Sequence, residues 1–426
     1  HNIQIIDGPG EAITKYTYFT TQNGKLWAHG LTKEEIVERI NPNTDVIGIT
    51  NMFLHEWEFI YQILKLIKQK HPNVTIVIGG ETATAWWDYM LKNSPVKLHW
   101  NFKFDPFTGE DTESPRSTGY AKFSGDAIEK ILLEDPKAVL ITPAVQSSTG
   151  IVNAFKKFPD RCYDVSLAEQ HAITLGAGFA LQGIKPIVCY ESTFMQLVFD
   201  QIHHDVCINN LPVLIIAGRS GHTGLDHVTH HSLHDLTYLR CIPNLRIIYP
   251  ATHNELTSVI IQEFRNLKKP TIILYPKADI LDDPNEPFII DNDDLKKSQN
   301  STGLILSVGT QNKNGLEVKH ALEKQSIIFD HIAVTNIAPF SDKLADFMTK
   351  YDYIITMEEG IITGGFASLI SENLIQRSSY PKTLQIGLPK KFIEHGTRDY
   401  IYQKYNMDSN SILKKIKEVW PELGVI

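Results

Sequence analysis

Five short, almost unbroken apolar runs recur between helical stretches from Phe123 to Pro276: Val139-Leu-Ile-Thr142, Pro186-Ile-Val-Cys-Tyr190, Pro212 to Gly218, Leu245-Arg-Ile-Ile-Tyr249 and Thr271 to Tyr275. A strand with one wet face alternates apolar and polar residues, whereas a strand covered on both faces does not. Runs of this kind spaced by helices predict a parallel sheet with helices on each side. A second array follows in Leu304-Ile-Leu-Ser-Val308, Tyr353-Ile-Ile-Thr-Met357 and Ile386-Gly387-Leu-Pro389. A smaller one precedes both. There Asp45-Val-Ile-Gly-Ile-Thr50 reads as a buried strand, and Val74-Thr-Ile-Val-Ile-Gly79-Gly80 reads as its neighbour. Between them Ile60, Ile63, Leu64 and Ile67 recur at i, i+3, i+4 and i+7, one apolar helix face that Pro72 ends. Thr32-Lys-Glu-Glu35 has the form of a capping box. At 426 residues the chain exceeds one core. The expectation is an α/β protein of three consecutive domains with mainly parallel sheets.

Hydrophobic residues make up 42% and charged residues 21%, ordinary for a water-soluble globular chain. A net charge of -8, with no cluster of Lys and Arg, argues against a nucleic-acid surface. No apolar stretch approaches the ~18 residues of a membrane span, and no signal-peptide pattern is present. Cys162, Cys189, Cys207 and Cys241 are far apart and form no metal-binding spacing, so they read as reduced thiols in a cytoplasmic protein. The chain opens at His1 rather than Met, directly on a strand-like Asn2-Ile-Gln-Ile-Ile6, so a preceding segment is expected.

Three stretches carry chemistry. Asp164-Val-Ser-Leu-Ala-Glu169-Gln-His171 sits where a strand-like run passes into a helix, and Glu191-Ser-Thr-Phe194 and Asp226-His-Val-Thr-His230 follow it. Read alone, Glu169 is a dipole partner in a helix's first turn, and Phe194 is a core aromatic after a strand. His227, His230 and His231 could bind a transition metal, though no carboxylate or Cys stands at a compelling spacing. Together the three stretches resemble the pyrimidine-binding domain of the transketolase superfamily, and most closely its 1-deoxy-D-xylulose-5-phosphate synthases. Gly364-Gly365-Phe366, Glu358-Glu359 and Ile386-Gly387-Leu-Pro389 resemble the superfamily's carboxyl-terminal domain, whose main part is to build a dimer.

That resemblance implies thiamine diphosphate as cofactor. Glu169 would be the carboxyl group on the pyrimidine ring, Phe194 the ring stacked on it, and Ser192 and Thr193 its neighbours. His99 and His230 would move protons, since imidazole donates and accepts near neutral pH. Arg219, Asp226, His230, Lys277 and Glu191 would face substrate. A 2-oxo acid such as pyruvate would be decarboxylated and joined to an aldehyde. Several positions depart from the family pattern. Glu191 replaces a Tyr and Lys277 an Arg of the phosphate-binding set, Leu197 replaces an Arg, and His227, His231 and Ser232 replace a Gly, a Gln and a Gly. An acid repels a dianion and Lys lacks the guanidinium fork, which argues against a phosphorylated acceptor. The G-D-G…N segment that holds Mg2+ and diphosphate in the superfamily does not occur between His1 and Ile426. A separate chain is therefore expected to supply that domain together with Mg2+.

Ile5-Ile-Asp7, Gly30-Leu-Thr-Lys-Glu-Glu35-Ile, Asp45 to Thr50 and Val77-Ile-Gly-Gly80 with Thr82-Ala-Thr84 resemble the cobalamin-binding Rossmann-like domain of radical-SAM enzymes. The family's D-x-H-x-x-G ligand loop is missing, which argues against bound cobalamin. The expected divisions are 1–94 (this Rossmann-like domain, truncated), 95–122 (connecting segment), 123–280 (pyrimidine-binding domain), 281–302 (linker) and 303–426 (carboxyl-terminal domain). A non-catalytic scaffold on a degenerate thiamine fold and a cobalamin-linked protein stay open as alternatives.

Overall fold

The computed structural model describes residues 16–21, 24–29, 32–50, 57–79, 119–278, 288–291 and 293–426. The chain divides into two compact units, 1–116 and 117–426. In the first, β1 (Tyr16–Thr21) and β2 (Gly24–His29) pair antiparallel. Helix α1 (Lys33–Glu38) opens on the expected capping box: Thr32 Oγ1 accepts from Glu35 N at 3.2 Å, and the Glu35 carboxylate accepts from Thr32 N at 2.8 Å. Strands β3 (Val46–Thr50) and β4 (Thr75–Gly79) run parallel, joined through α2 (Trp57–Lys70). Ile63, Leu64 and Ile67 are buried on the predicted face of α2. The strand expected to be buried is only half covered, with Val46 59% exposed. Among the described residues β4 is the one strand neighbour of β3.

The second unit begins with α3 (Tyr120–Glu134), β5 (Ala138–Thr142), α4 (Val152–Lys157) and β6 (Cys162–Asp164). It continues with α5 (Glu169–Leu181), β7 (Lys185–Glu191), a helical segment over 192–207, and β8 (Leu214–Ser220). Then come α6 (Asp235–Leu239), β9 (Arg246–Ile248), α7 (His253–Arg265) and β10 (Thr271–Pro276). The strands form one sheet in the order β13-β9-β10-β8-β7-β5-β6, parallel apart from β13 (Asn336–Ala338), which comes from the last third of the chain and pairs antiparallel with β9. Ile128 and Leu132 of α3 and Ile260 and Phe264 of α7 cover one face. Ile173 and Ala177 of α5 with Val198, Ile202 and Val206 cover the other. A buried Ile contributes about 1.5–3 kcal/mol, so both faces are firmly held.

The second sheet has the order β12-β11-β14-β15, all parallel, built from β11 (Gly303–Ser307), β12 (Phe329–Ala333), β14 (Tyr353–Ile361) and β15 (Lys382–Leu388). Helices α8 (Gln311–Glu323), α9 (Asp342–Met348), α10 (Phe366–Gln376), α11 (Arg398–Lys404) and α12 (Ser409–Val419) flank it. One apolar cluster runs unbroken from Ile141 and Ile173 through Leu306 and Val334 to Ile370. The two sheets thus share a core as well as strand β13. Cys162, Cys189 and Cys207 are buried thiols, whereas Cys241 is exposed. Among the described residues no helix is long and apolar enough to cross a membrane.

Candidate active site

In an open parallel sheet, ligands bind beyond the carboxyl ends of the strands, where the chain reverses its direction of travel across the sheet. Here the chain steps from β5 outward to the edge strand β6, then returns past β5 to β7. Glu169 is the first residue of the helix that makes this return. The turns after β5 and β6 are locked together by Asp164. Its Oδ1 accepts from Ala144 N (3.0 Å) and Ser166 N (2.9 Å), and its Oδ2 accepts from Gln146 Nε2 at 2.7 Å. Ala144 (φ 57°) and Ser166 (φ 58°) hold left-handed backbone without being glycine, which costs of order 1 kcal/mol each. The Tyr190 hydroxyl, its pKa pushed up by burial and by the charge of Glu169, donates to the Glu169 backbone carbonyl at 2.5 Å. Glu169 as a whole is 8% exposed, and no described residue hydrogen-bonds its carboxylate.

Phe194 lies half-buried in the 3-10 turn Ser192–Val198 that follows β7, and His230 meets its ring edge-on, centroids 5.9 Å apart at 80°. Ser192 and Thr193, expected beside the cofactor, are buried braces. Ser192 Oγ donates to Asp235 Oδ2 at 2.5 Å, and Thr193 Oγ1 donates to the Thr229 carbonyl at 2.9 Å. Asp235 also accepts from Ser220 Oγ (2.8 Å) and Ser232 Oγ (2.6 Å), while burial raises its pKa. One buried carboxyl therefore ties the ends of β7 and β8 to the loop that carries His230.

Arg219, next to last in β8, holds a left-handed conformation (φ 67°). Its Nη1 donates to Glu191 Oε1 at 2.9 Å, its Nη2 donates to Asp226 Oδ2, and Lys277 Nζ donates to the same Asp226 oxygen at 2.6 Å. Glu191 and Arg219 are 6% and 8% exposed. Lys277 is pushed down to about 8 by desolvation and by the neighbouring Arg219 charge. His230 is also lowered, because burial outweighs the attraction of Glu191, and so it stays neutral near pH 7. The structure thus brings Glu191, Arg219, Asp226, Lys277, Phe194 and His230 to one end of the sheet. His99 lies outside the described residues. Among the described residues no three His, Cys, Asp or Glu side chains gather as a metal site.

The sequence reading missed a brace from the second sheet. Arg398, the first residue of α11, donates Nε to Glu359 Oε1 at 2.5 Å and Nη2 to the carbonyls of His222 and Lys277, both at 2.9 Å. Glu359 Oε1 also accepts from Tyr402 at 2.9 Å, while Oε2 is buried with no described partner. The Glu358-Glu359 pair was a visible signal at a strand end, but the position of Arg398 follows only from topology. Gly221 shows how close this packing is. Its φ is 85°, and a Cβ there would lie 2.3 Å from Glu359 Oε2. Gly221→Ala is expected to cost about 1–3 kcal/mol in a thermal or urea melt, through backbone strain and displacement of Glu359.

The His222 and His231 rings lie against each other, centroids 4.2 Å apart and tilted by 31°. Gly224 N donates to His222 Nδ1 and Thr223 N to His231 Nδ1, both at 3.2 Å. Burial lowers both imidazoles, His231 to about 4, against the opposing pull of Glu359. The unfolded chain then binds protons that the folded chain refuses, so stability is complete above about pH 6.5 and falls as pH drops toward 4. His231 alone accounts for roughly 2 kcal/mol of loss at pH 5. Urea midpoints at pH 7 and pH 5 are expected to diverge in the wild type and to lie closer together in His231→Gln, where His222 and His230 still contribute.

These elements define a two-sheet, mainly parallel α/β architecture with a polar site at the carboxyl ends of the strands of the first sheet. Residues 116–281 match the family model "Transketolase, pyrimidine binding domain", and residues 295–412 match "Transketolase, C-terminal domain". Residues 116–281 and 295–412 thus carry the likeness to the transketolase domains. Among curated proteins the chain is similar to the 1-deoxy-D-xylulose-5-phosphate synthase of Caldanaerobacter subterraneus subsp. tengcongensis, 30% identical over 416 residues, covering 92% of this chain and 65% of that protein. The synthase of Aquifex aeolicus is 33% identical over 332 residues, covering 77% of this chain and 52% of that one. The chain thus spans between about half and two thirds of these relatives. A solved split-gene transketolase, described as an inactive beta4 tetramer, superposes with a TM-score of 0.60 at 20% identity, covering 72% of this chain and 98% of that one. It supports the fold.

Proposed function

We propose that the chain is one subunit of a thiamine-diphosphate-dependent transferase that joins a decarboxylated 2-oxo acid to an aldehyde, with the diphosphate-binding domain on a separate chain. The observation that carries this reading is Glu169, a largely buried residue at the switch point of the sheet whose carboxylate no described residue hydrogen-bonds. A carboxylate without a partner in such a place adds nothing to a purely structural scaffold. A pyrimidine nitrogen fits as its missing partner, with Phe194 as the flat wall beside it. Mg2+ and the diphosphate would be held by the companion chain.

When bound, thiamine diphosphate supplies a carbon nucleophile that lets a 2-oxo acid lose carbon dioxide. Glu169 holds a proton against the pyrimidine ring. Phe194 keeps water from it. His230, kept neutral by burial, is ready to accept or donate a proton at the reacting oxygen. Arg219 and Asp226 face the acceptor, and His99 is the further proton carrier that the family likeness implies. The split-gene transketolase favours a two-chain arrangement, since its tetramer of one chain type is described as inactive.

The test is reconstitution. This chain, a companion carrying G-D-G…N, thiamine diphosphate, Mg2+ and pyruvate are expected to release carbon dioxide, and this chain alone is not. Turnover by this chain alone would overturn the two-chain reading. For residues 1–94 we propose a Rossmann-like scaffold without cobalamin. A corrinoid absorption band in the purified protein would reverse that.

A further inference from the structure

We infer that the acceptor pocket takes an uncharged aldehyde and excludes a phosphorylated one, because among the described residues Arg219, Lys277 and Arg398 at its mouth are each already paired with a carboxylate of this chain. This rests on the carboligase reading and specifies its substrate class.

Arg219 is the residue able to fork onto a phosphate, but its Nη1 is bonded to Glu191 and its Nη2 to Asp226. Among its other N–H groups, Nε is enclosed with no described partner. Both terminal nitrogens are committed to carboxylates of this chain, and a phosphate would have to compete with both. Lys277 shares Asp226 with Arg219 through a 2.6 Å bond. Arg398 is the third cation at this edge, and it is committed to Glu359 and to two backbone carbonyls. Three cations therefore meet three carboxylates: Glu191, Asp226 and Glu359. A phosphate dianion entering here would have to stand beside Glu191, which is almost fully enclosed, and Coulomb repulsion is weakly screened in such a place. A hydroxyl or carbonyl oxygen meets no such opposition and can accept from the exposed part of Lys277.

The apolar side of the pocket agrees. In a 3-10 turn, residues three apart lie one above the other, so half-exposed Leu197 continues the face that Phe194 begins. Val228, also exposed, stands two residues before His230 on the facing loop.

The test needs no turnover. Inorganic phosphate is titrated into the wild-type chain by calorimetry, against chloride at equal ionic strength, and no saturable binding is expected up to about 10 mM. Glu191→Gln with Asp226→Asn frees Arg219 and Lys277, and this variant is expected to bind phosphate at least about tenfold more tightly. Saturable phosphate binding by the wild type that Arg219→Met abolishes would overturn the proposal, whether or not the double variant folds. In the reconstituted complex, a hydroxyaldehyde is expected to exceed its own phosphate ester by about tenfold in kcat/KM, and the reverse preference would overturn the proposal. If neither aldehyde is consumed, the carboligase reading falls, while the phosphate titration still decides what this pocket accepts.

Discussion

Glu169→Gln is expected to lower carbon dioxide release in the two-chain complex by about a hundred- to ten-thousandfold, with the fold intact. The two side chains are nearly isosteric, but the amide cannot hold and release a proton at the ring it faces. The anchor of this position is unaffected, because Tyr190 bonds the backbone carbonyl of residue 169 and not its side chain. The Asp164 lock between the turns after β5 and β6 is also untouched. The exchange is nearly isosteric and breaks no bond to a described residue, so the melting temperature of the variant should match that of the wild type. Loss of turnover together with retained stability separates a functional acid from a structural one. Equal turnover in the two proteins would sink the mechanism.

The first sheet was legible because its central strands are apolar on both faces: Ile187, Val188 and Cys189 of β7, and Leu214, Ile215 and Ile216 of β8, are all buried. Strand β12 was not legible. It carries Asp330 and His331, and polar residues in a short run read as loop. Both are buried within a network in which Tyr351 donates to Asp330 at 2.6 Å, Ser298 N reaches the same carboxylate at 3.2 Å, and Ser307 Oγ lies 2.7 Å from His331 Nε2. Long-range hydrogen bonds override the local pattern there. Strand β13 escaped notice for another reason. With the span of three residues Asn336–Ala338 it has no periodicity to detect, and its register comes from β9, far back in the chain.

The site divides in the same way. Glu169, Phe194 and His230 could be picked out because each follows a strand or opens a helix at a spacing that a known family shares. Ser192 and Thr193 belong to the same motif, yet their hydroxyls turn inward to Asp235 and Thr229. A motif identifies which residues cluster, but not which of them face the ligand. Charge pairing is still less local. Glu191, Arg219, Asp226 and Lys277 come from three strand ends and one loop, and only the parallel sheet draws them into a single chain of alternating sign.

Arg398→Met is expected to destabilise the second unit by about 3 kcal/mol, because Glu359, only 4% exposed, is left buried without its counter-charge. Glu359→Gln should cost less. Arg398 would retain the His222 and Lys277 carbonyls as acceptors, and Tyr402 would keep its bond to Thr310 at 2.7 Å. If the charges act as a pair, the double variant should be more stable than Arg398→Met alone, since an amide beside a thioether leaves no unpaired ion. Urea unfolding of the four proteins gives the coupling directly. The same bonds hold the backbone of His222 and Lys277, so loss of Arg398 should also loosen the loop that carries Asp226 and His230. In the reconstituted complex this variant is therefore expected to raise the KM for the aldehyde more than it lowers decarboxylation of the 2-oxo acid. Additive stability changes, with an unaltered KM, would mean that the second sheet contributes bulk to this end of the molecule and no positioning.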